Sequence, residues 1–333
     1  MDGKKLLIVN NLEISLEFEK NYIKIINNVN FRLNEGEVLA LVGESGCGKT
    51  VTSRSLVRLL PKELKITSGN ILFDFGKNGN KLDITKLGPK SRSLYEIRGK
   101  YVGMIFQEPM SSFSPVHTIG DQILEPIIIH ENIPKKEALD RVIELLAKVG
   151  IPDPKTAINK YPHEFSGGMR QRAMIARALA CNPTLLIADE PTTALDVTIQ
   201  AQIINLLKEL QEEYGMAVIF ITHNLGVVAQ IASRVIIMYM GRIVEEGDII
   251  EVFSNPKHPY TICLINAIPR LENLSKRRKL EPILGDVPNI YERPRGCEFH
   301  PRCKSMIRGK CDRYFPKAIK ISNQHSVCCY LYE

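Results

Sequence analysis

The chain lacks any apolar run approaching the roughly eighteen residues that a membrane-spanning helix requires. A helical membrane protein is excluded on that ground. The opening MDGKKLLIVN also has no apolar stretch long enough for a secretory signal, so a soluble cytoplasmic protein is expected. No internal repeat, heptad array or low-complexity segment occurs, which sets aside solenoids, coiled coils and compositionally biased linkers. The cysteines form no C-x-x-C pair, the usual element of a zinc ribbon.

What is present is a chain of 333 residues with 44% hydrophobic content, enough for a packed catalytic-sized domain plus an appendix. The net charge is +7, and it belongs to the tail: residues 255 to 333 hold 15 Lys and Arg against 7 Asp and Glu. Within that tail Ser275-Lys276-Arg277-Arg278-Lys279 is short and has no interleaved aromatics. It reads as a solvated linker, and contact with nucleic acid is not expected.

Three segments point to phosphate chemistry. Gly43 to Thr50, GESGCGKT, fits G-x-x-x-x-G-K-[ST] and follows the strand-like run Val38 to Val42. Backbone N–H groups of Glu44, Ser45, Gly46, Cys47, Gly48 and Lys49 can wrap phosphates, Lys49 can neutralise their charge, and the Thr50 hydroxyl can ligate magnesium. Leu185 to Glu190 is an apolar strand ending in two carboxylates, which places Asp189 and Glu190 at the ligand-binding edge of an open α/β sheet. Alone, such a pair would be solvated acids. In YPHEFSGGMRQR, Tyr161 to Arg172, Ser166 is a good N-cap, Gly167 and Gly168 admit close approach, and Met169 begins a helix-forming stretch. Alone, that is a capped helix start. Gln107 after Val102 to Phe106, Asp196 six residues beyond Glu190, and His223 at the end of Val218 to Thr222 are weaker signals.

Taken in order, these six elements resemble the ATP-binding cassette (ABC) ATPases over about residues 5 to 250. The resemblance implies an α/β P-loop NTPase core with an antiparallel β subdomain, an inserted helical subdomain at about 113 to 180, and a nucleotide-binding domain spanning 1 to 255. It implies a Walker A loop from Gly43 through Val51 and a Walker B pair in Asp189 and Glu190. Glu190, His223 and Gln107 become the catalytic set, and Thr50, Gln107 and Asp189 the magnesium ligands. The signature, Ser166 to Met169, and the D-loop Asp196 are implied to meet ATP held by a partner subunit. An aromatic residue upstream stacks on adenine; Tyr22 is the candidate, with Phe18 its rival. The signature departs from the commonest form at Phe165 and Met169, where Leu and Gln are usual, and retains Ser166 and Gly168.

Periodicity fills in the rest. Lys135 to Val149 places Leu139, Val142, Ile143, Leu146 and Val149 on one helix face, stopped by Gly150. Val197 to Tyr214 repeats the pattern before Gly215, and Asn78 to Asn80 reads as a hairpin tip. Beyond residue 255, Lys257 to Thr261, Leu264 to Pro269, Gly285 to Pro288 and Gly296 to Cys303 resemble the C-terminal extension of oligopeptide and dipeptide importer ATPase subunits. So does QEPMSSFSP at Gln107 to Pro115. This extends the resemblance to nearly the whole chain, with the extension at 256 to 333. It implies an energy-coupling ATPase at the cytoplasmic face of the membrane, paired with a sister ATPase subunit or itself, two permease subunits and an external binding protein. An importer of nickel or another small solute has similar ATPase subunits. A soluble ABC ATPase acting on nucleic acid would carry a long coiled-coil insertion or a second cassette, and neither is present.

Cys47, Cys181 and Cys263 are scattered, whereas Cys297, Cys303, Cys311, Cys328 and Cys329 crowd the last 37 positions. In a reducing compartment such a group suggests metal, and four thiolates suit a tetrahedral zinc or a cubane iron–sulfur cluster. The resemblance aligns the ending His325 to Tyr332 so that Cys329, not Cys328, joins Cys297, Cys303 and Cys311, and it implies a structural [4Fe-4S] cluster in about residues 285 to 333, with zinc the alternative.

Overall fold

A computed structural model describes residues 4–18, 21–74, 81–108, 112–193, 195–268 and 283–333. The expected hairpin tip at 78–80 and the basic run at 275–279 lie outside the described residues. Among the described residues twelve strands form two sheets: β1 Lys5–Phe18, β2 Asn21–Asn34, β3 Val38–Val42, β4 Leu64–Asp74, β5 Lys81–Asp83, β6 Val102–Ile105, β7 Leu185–Asp189, β8 Ala217–Thr222, β9 Arg234–Tyr239, β10 Arg242–Asp248, β11 Ile319–Lys320 and β12 His325–Val327. The smaller sheet is antiparallel, ordered β2-β1-β4-β5; the larger runs β11-β12-β10-β9-β3-β8-β7-β6. In the larger sheet β9, β3, β8, β7 and β6 are mutually parallel.

Burial on both faces explains why the central strands read as unbroken apolar runs. Because side chains alternate along a strand, each run is divided between two cores. Val38, Ala40 and Val42 face one, with Leu186, Ala188, Val218 and Phe220. Leu39 and Leu41 face the other, with Ile187, Ile219 and Ile221. The second core is closed by the antiparallel sheet through Leu12, Ile14, Val29 and Phe73. The first is closed by helices, including Ile119–His130, Lys135–Lys148 and Gly167–Leu179.

Helix Lys135–Lys148 buries Ala138, Val142, Leu145 and Leu146, while Leu139 and Ile143 are half-buried. The apolar face is therefore turned relative to the expected one. A reading that weighs large side chains overlooks Ala138, which is fully buried. Gly150, with φ 75, ends the helix as expected, and Gly215, with φ 62, ends Val197–Tyr214.

The C-terminal residues are not a detached appendix, because β12 pairs with β10 at Glu245↔Val327 and β11 pairs with β12. Buried Glu245 secures the junction. Its carboxylate accepts the Lys257 and His258 amides at 2.7 and 2.8 Å and lies 2.7 Å from His325 Nε2. A second buried carboxylate, Glu298, receives Arg242 at 2.7 Å and Arg293 at 3.3 Å. Both acids are satisfied, as burial demands.

Phe220 is fully buried at the centre of β8. Phe220→Ala is expected to destabilise the protein by about 3–5 kcal/mol. Denaturant unfolding should show a lower midpoint with unchanged slope; a loss under about 1 kcal/mol would contradict this packing.

Candidate active site

The site lies where β3, β7 and β8 end. Beyond Val42 the chain turns through Gly43, where a Cβ would come within 2.3 Å of the Met238 carbonyl oxygen and 2.6 Å of Cys47 Sγ, so only glycine fits. Ser45 and Gly46 are exposed at the loop's tip, Gly48 caps helix Lys49–Leu56, and Val51 in its first turn is half-buried. Lys49 curls back into the loop, donating to the Gly43 and Glu44 carbonyls at 2.8 and 3.1 Å. Two loop amides are also engaged: Glu44 N–H donates to Tyr260 Oη at 2.8 Å and Cys47 N–H to Glu44 O at 3.2 Å. The Cys47 side chain is buried, and burial raises its thiol pKa, so it is a neutral packing group.

Thr50 donates its hydroxyl to Asp189 Oδ1 at 3.1 Å. Asp189 is fully buried and its Oδ2 has no hydrogen-bond partner among the described residues. Burial raises its carboxyl pKa against the opposing Thr50 hydrogen bond. A hydroxyl beside an unpartnered buried carboxylate oxygen is a hard-oxygen donor set that fits magnesium.

Glu190 follows with φ 48, a left-handed conformation rare for residues bearing a Cβ. Its amide still donates to Ile221 O at 2.9 Å, which fixes the turn against β8. Its carboxylate is a meeting point. Gln107 Nε2 donates at 3.3 Å, Thr193 Oγ1 donates at 2.9 Å, and His223 Nδ1 stands 3.4 Å away. Gln107 and His223 are thus brought together on Glu190 from 83 and 33 residues away. Thr193 was missed in the sequence, where only its position three residues after an acid could have signalled a side-chain contact.

Ser166 caps helix Gly167–Leu179, its Oγ accepting the Met169 amide at 3.3 Å. Ser166 and Gly167 are exposed, and a Cβ on Gly168 would lie 3.3 Å from Ile199 Cγ2. Phe165 is buried and Met169 packs against the same core, so the two departures from the common signature occur at packing positions. Buried Gln171 donates to Pro191 O at 2.5 Å, tying this helix to the turn after β7. Asp196 accepts the Ile199 amide at 2.9 Å and caps the next helix. Tyr22 and Phe18 are both exposed near the tip of the β1–β2 ribbon. The Phe18 ring meets Tyr291 edge-on at 5.9 Å.

Cys297, Cys303, Cys311 and Cys329 line one small apolar cavity, walled also by Phe299 and Pro316. Cys328 lines a different cavity with Arg242 and Phe315. The reason is local: the Cys328 amide pairs with Val244 O at 2.8 Å, so the extended chain sends neighbouring side chains in opposite directions. Burial raises the Cys297 thiol to about 12 and also raises Cys303 and Cys329. Among the described residues, however, no group of three or more His, Cys, Asp or Glu is assembled to hold a metal ion. Of the extension expected from sequence, the structure shows four thiols around one cavity. Cys47 and Cys181 are buried and Cys263 half-buried, each away from that cavity's lining.

A P-loop α/β core bearing these side chains at its strand ends defines an ATP-hydrolysing cassette. Residues 26–193 match the ABC transporter family model and residues 244–311 match that of the oligopeptide/dipeptide transporter C-terminal region. The chain is 49% identical to a putative peptide import ATP-binding protein of Brucella ovis, over 99% of this chain and 98% of that one. It is 46% identical to the dipeptide transport ATP-binding protein DppD of Bacillus subtilis, over 98% and 95%. Among solved structures, the dimeric ATP-binding cassette MJ0796 in a post-hydrolysis state with ADP and phosphate is similar with TM-score 0.64 and 29% identity, over 73% of this chain and 99% of that one. CbiO1 of Clostridium perfringens, part of the CbiONQ transporter complex, is similar with TM-score 0.64 and 27% identity, over 82% and 98%. The chain belongs to the ABC transporter ATP-binding family. Among the described residues no helix is long and apolar enough to cross a membrane.

Proposed function

We propose that this chain is the energy-coupling ATPase subunit of an importer for di- and oligopeptides, docked at the cytoplasmic face of the membrane. The observation that carries the catalytic reading is the convergence of Gln107 and His223 on Glu190, beside the Thr50–Asp189 pair. The peptide reading is supported by the C-terminal family match and by full-length relatives named for peptide import. Residues 1–255 serve as the nucleotide-binding unit and 256–333 as the extension.

ATP enters with its phosphates over Gly43–Thr50, and Lys49 exchanges the loop carbonyls for phosphate oxygens. Tyr22 stacks on adenine, since Phe18 is already engaged by Tyr291. Thr50, Asp189 and Gln107 would hold magnesium, which would offset charge on the terminal phosphates. Glu190 accepts a proton from the attacking water, and His223 orients the Glu190 carboxylate toward it. A second ATPase, sister subunit or identical copy, contributes Ser166, Gly167, Gly168, Met169 and Asp196 to close the open side of the nucleotide. Hydrolysis removes the charge bridge and the pair opens, a motion that Gln107 passes to the permease subunits. An external binding protein delivers the peptide, so no residue of this chain needs to touch it.

Cys297, Cys303, Cys311 and Cys329 hold a [4Fe-4S] cluster in this reading. A common apolar cavity among four thiols suits a cluster with a structural role.

Glu190→Gln is expected to lower steady-state hydrolysis by the reconstituted complex about 10²–10⁴-fold while sparing nucleotide binding; unchanged hydrolysis would remove Glu190 from its role. Anaerobically purified protein should contain iron and absorb broadly in the visible, a property lost in Cys329→Ser and kept in Cys328→Ser. Stoichiometric zinc without iron would overturn the cluster.

A further inference from the structure

We propose that Arg302 and Tyr260, both in the C-terminal extension, are positioning residues for the phosphate loop, so that the thiol-lined module sets the loop's affinity for nucleotide. The inference rests on Gly43–Thr50 being the ATP loop. Arg302 forks onto Glu44, with Nη1 to Oε2 at 2.8 Å and Nη2 to Oε1 at 3.2 Å. It also donates to Tyr239 Oη at 3.3 Å and to the Leu284 carbonyl at 3.0 Å, and its guanidinium lies 5.9 Å from the Tyr239 and Phe299 ring centroids. The Arg302 side chain is only 5% exposed. From the other side, fully buried Tyr260 accepts the Glu44 amide. Its ring packs on Tyr239 at 4.7 Å and Phe299 at 5.3 Å.

Glu44 is therefore gripped at its main chain and its side chain by residues more than 200 positions away in sequence. Its carbonyl meanwhile accepts both Lys49 Nζ and the Cys47 amide. Fixing Glu44 fixes the resting place of the lysine that must reach the phosphates. A buried ion pair is weak evidence for stabilisation, because desolvation offsets its attraction; its geometry suits positioning better. Arg302 ends the turn His300–Arg302 directly before Cys303, one of the four thiols of the shared cavity. Whatever those thiols hold, moving Cys303 moves Arg302. Coupling of this kind is reciprocal: an ordered thiol module tightens nucleotide binding, and bound nucleotide protects the module.

The test measures Mg-ADP affinity of the full-length chain by calorimetry in the wild type, Arg302→Met, Arg302→Lys, Glu44→Gln, Tyr260→Phe and the Arg302→Met/Glu44→Gln double variant. We expect about tenfold weaker binding for Arg302→Met and for Glu44→Gln, a double variant no weaker than either single, partial recovery in Arg302→Lys, and a smaller loss in Tyr260→Phe. Amide hydrogen exchange of residues 297–311 should slow when Mg-ADP is added to the wild type and not to Glu44→Gln. If Arg302→Met fails to fold, Glu44→Gln and Tyr260→Phe decide the matter alone. Wild-type affinity in all variants, or strictly additive losses in the double, would overturn the inference. Failure of the wild type itself to bind nucleotide would instead overturn the reading of Gly43–Thr50.

Discussion

The double-sided burial of β3 is the constraint on which the rest depends. A strand packed against helices on one face and an antiparallel sheet on the other can present polar chemistry only where it stops. At Val42 it stops into a loop whose first glycine is forced by the Met238 carbonyl. The neighbouring strands obey the same rule: β7 ends in Asp189 and leads into Glu190, and β8 leads directly into His223. The site is the shared edge of three buried strands, and its polar groups meet because the strands are in register.

The polar groups at that edge are unevenly satisfied. Lys49 rests on loop carbonyls, Asp189 keeps one oxygen without a partner among the described residues, and Glu190 holds a left-handed backbone with three side chains around its carboxylate. Strain and unpartnered polar atoms cost stability, and they persist where binding or chemistry uses them. By contrast Ser166 and Gly167 face solvent, satisfied locally by a helix cap. The strand-end groups are thus largely buried, whereas Ser166 and Gly167 are exposed.

Sequence spacing revealed the strands, the phosphate loop and the signature because each is local: an apolar run, a glycine pattern, a cap. It could not reveal that Gln107 and His223 share Glu190, since those contacts exist only once parallel strands are stacked. Thr193 escaped for the same reason. The turned face of helix Lys135–Lys148 escaped because Ala138 signals packing by smallness, which a count of large apolar residues overlooks. Strands of two and three residues, β11 and β12, carry too little periodicity to be read, so the fusion of the extension to the main sheet was hidden. The choice of Cys329 over Cys328 came from resemblance; in the structure Cys329 shares a cavity with the other three thiols and Cys328 lines another. Arg302 on Glu44 had no sequence signal at all.

The central claim is that one chain holds the nucleotide and a second closes over it. Ser166→Arg, made in the Glu190→Gln background that arrests hydrolysis, tests it by two readings on the same protein: nucleotide affinity of the single chain, and ATP-dependent association by analytical ultracentrifugation with the sister subunit or with itself. The account predicts unchanged affinity and lost association. Loss of affinity in the single chain, or association that survives the arginine, would contradict it.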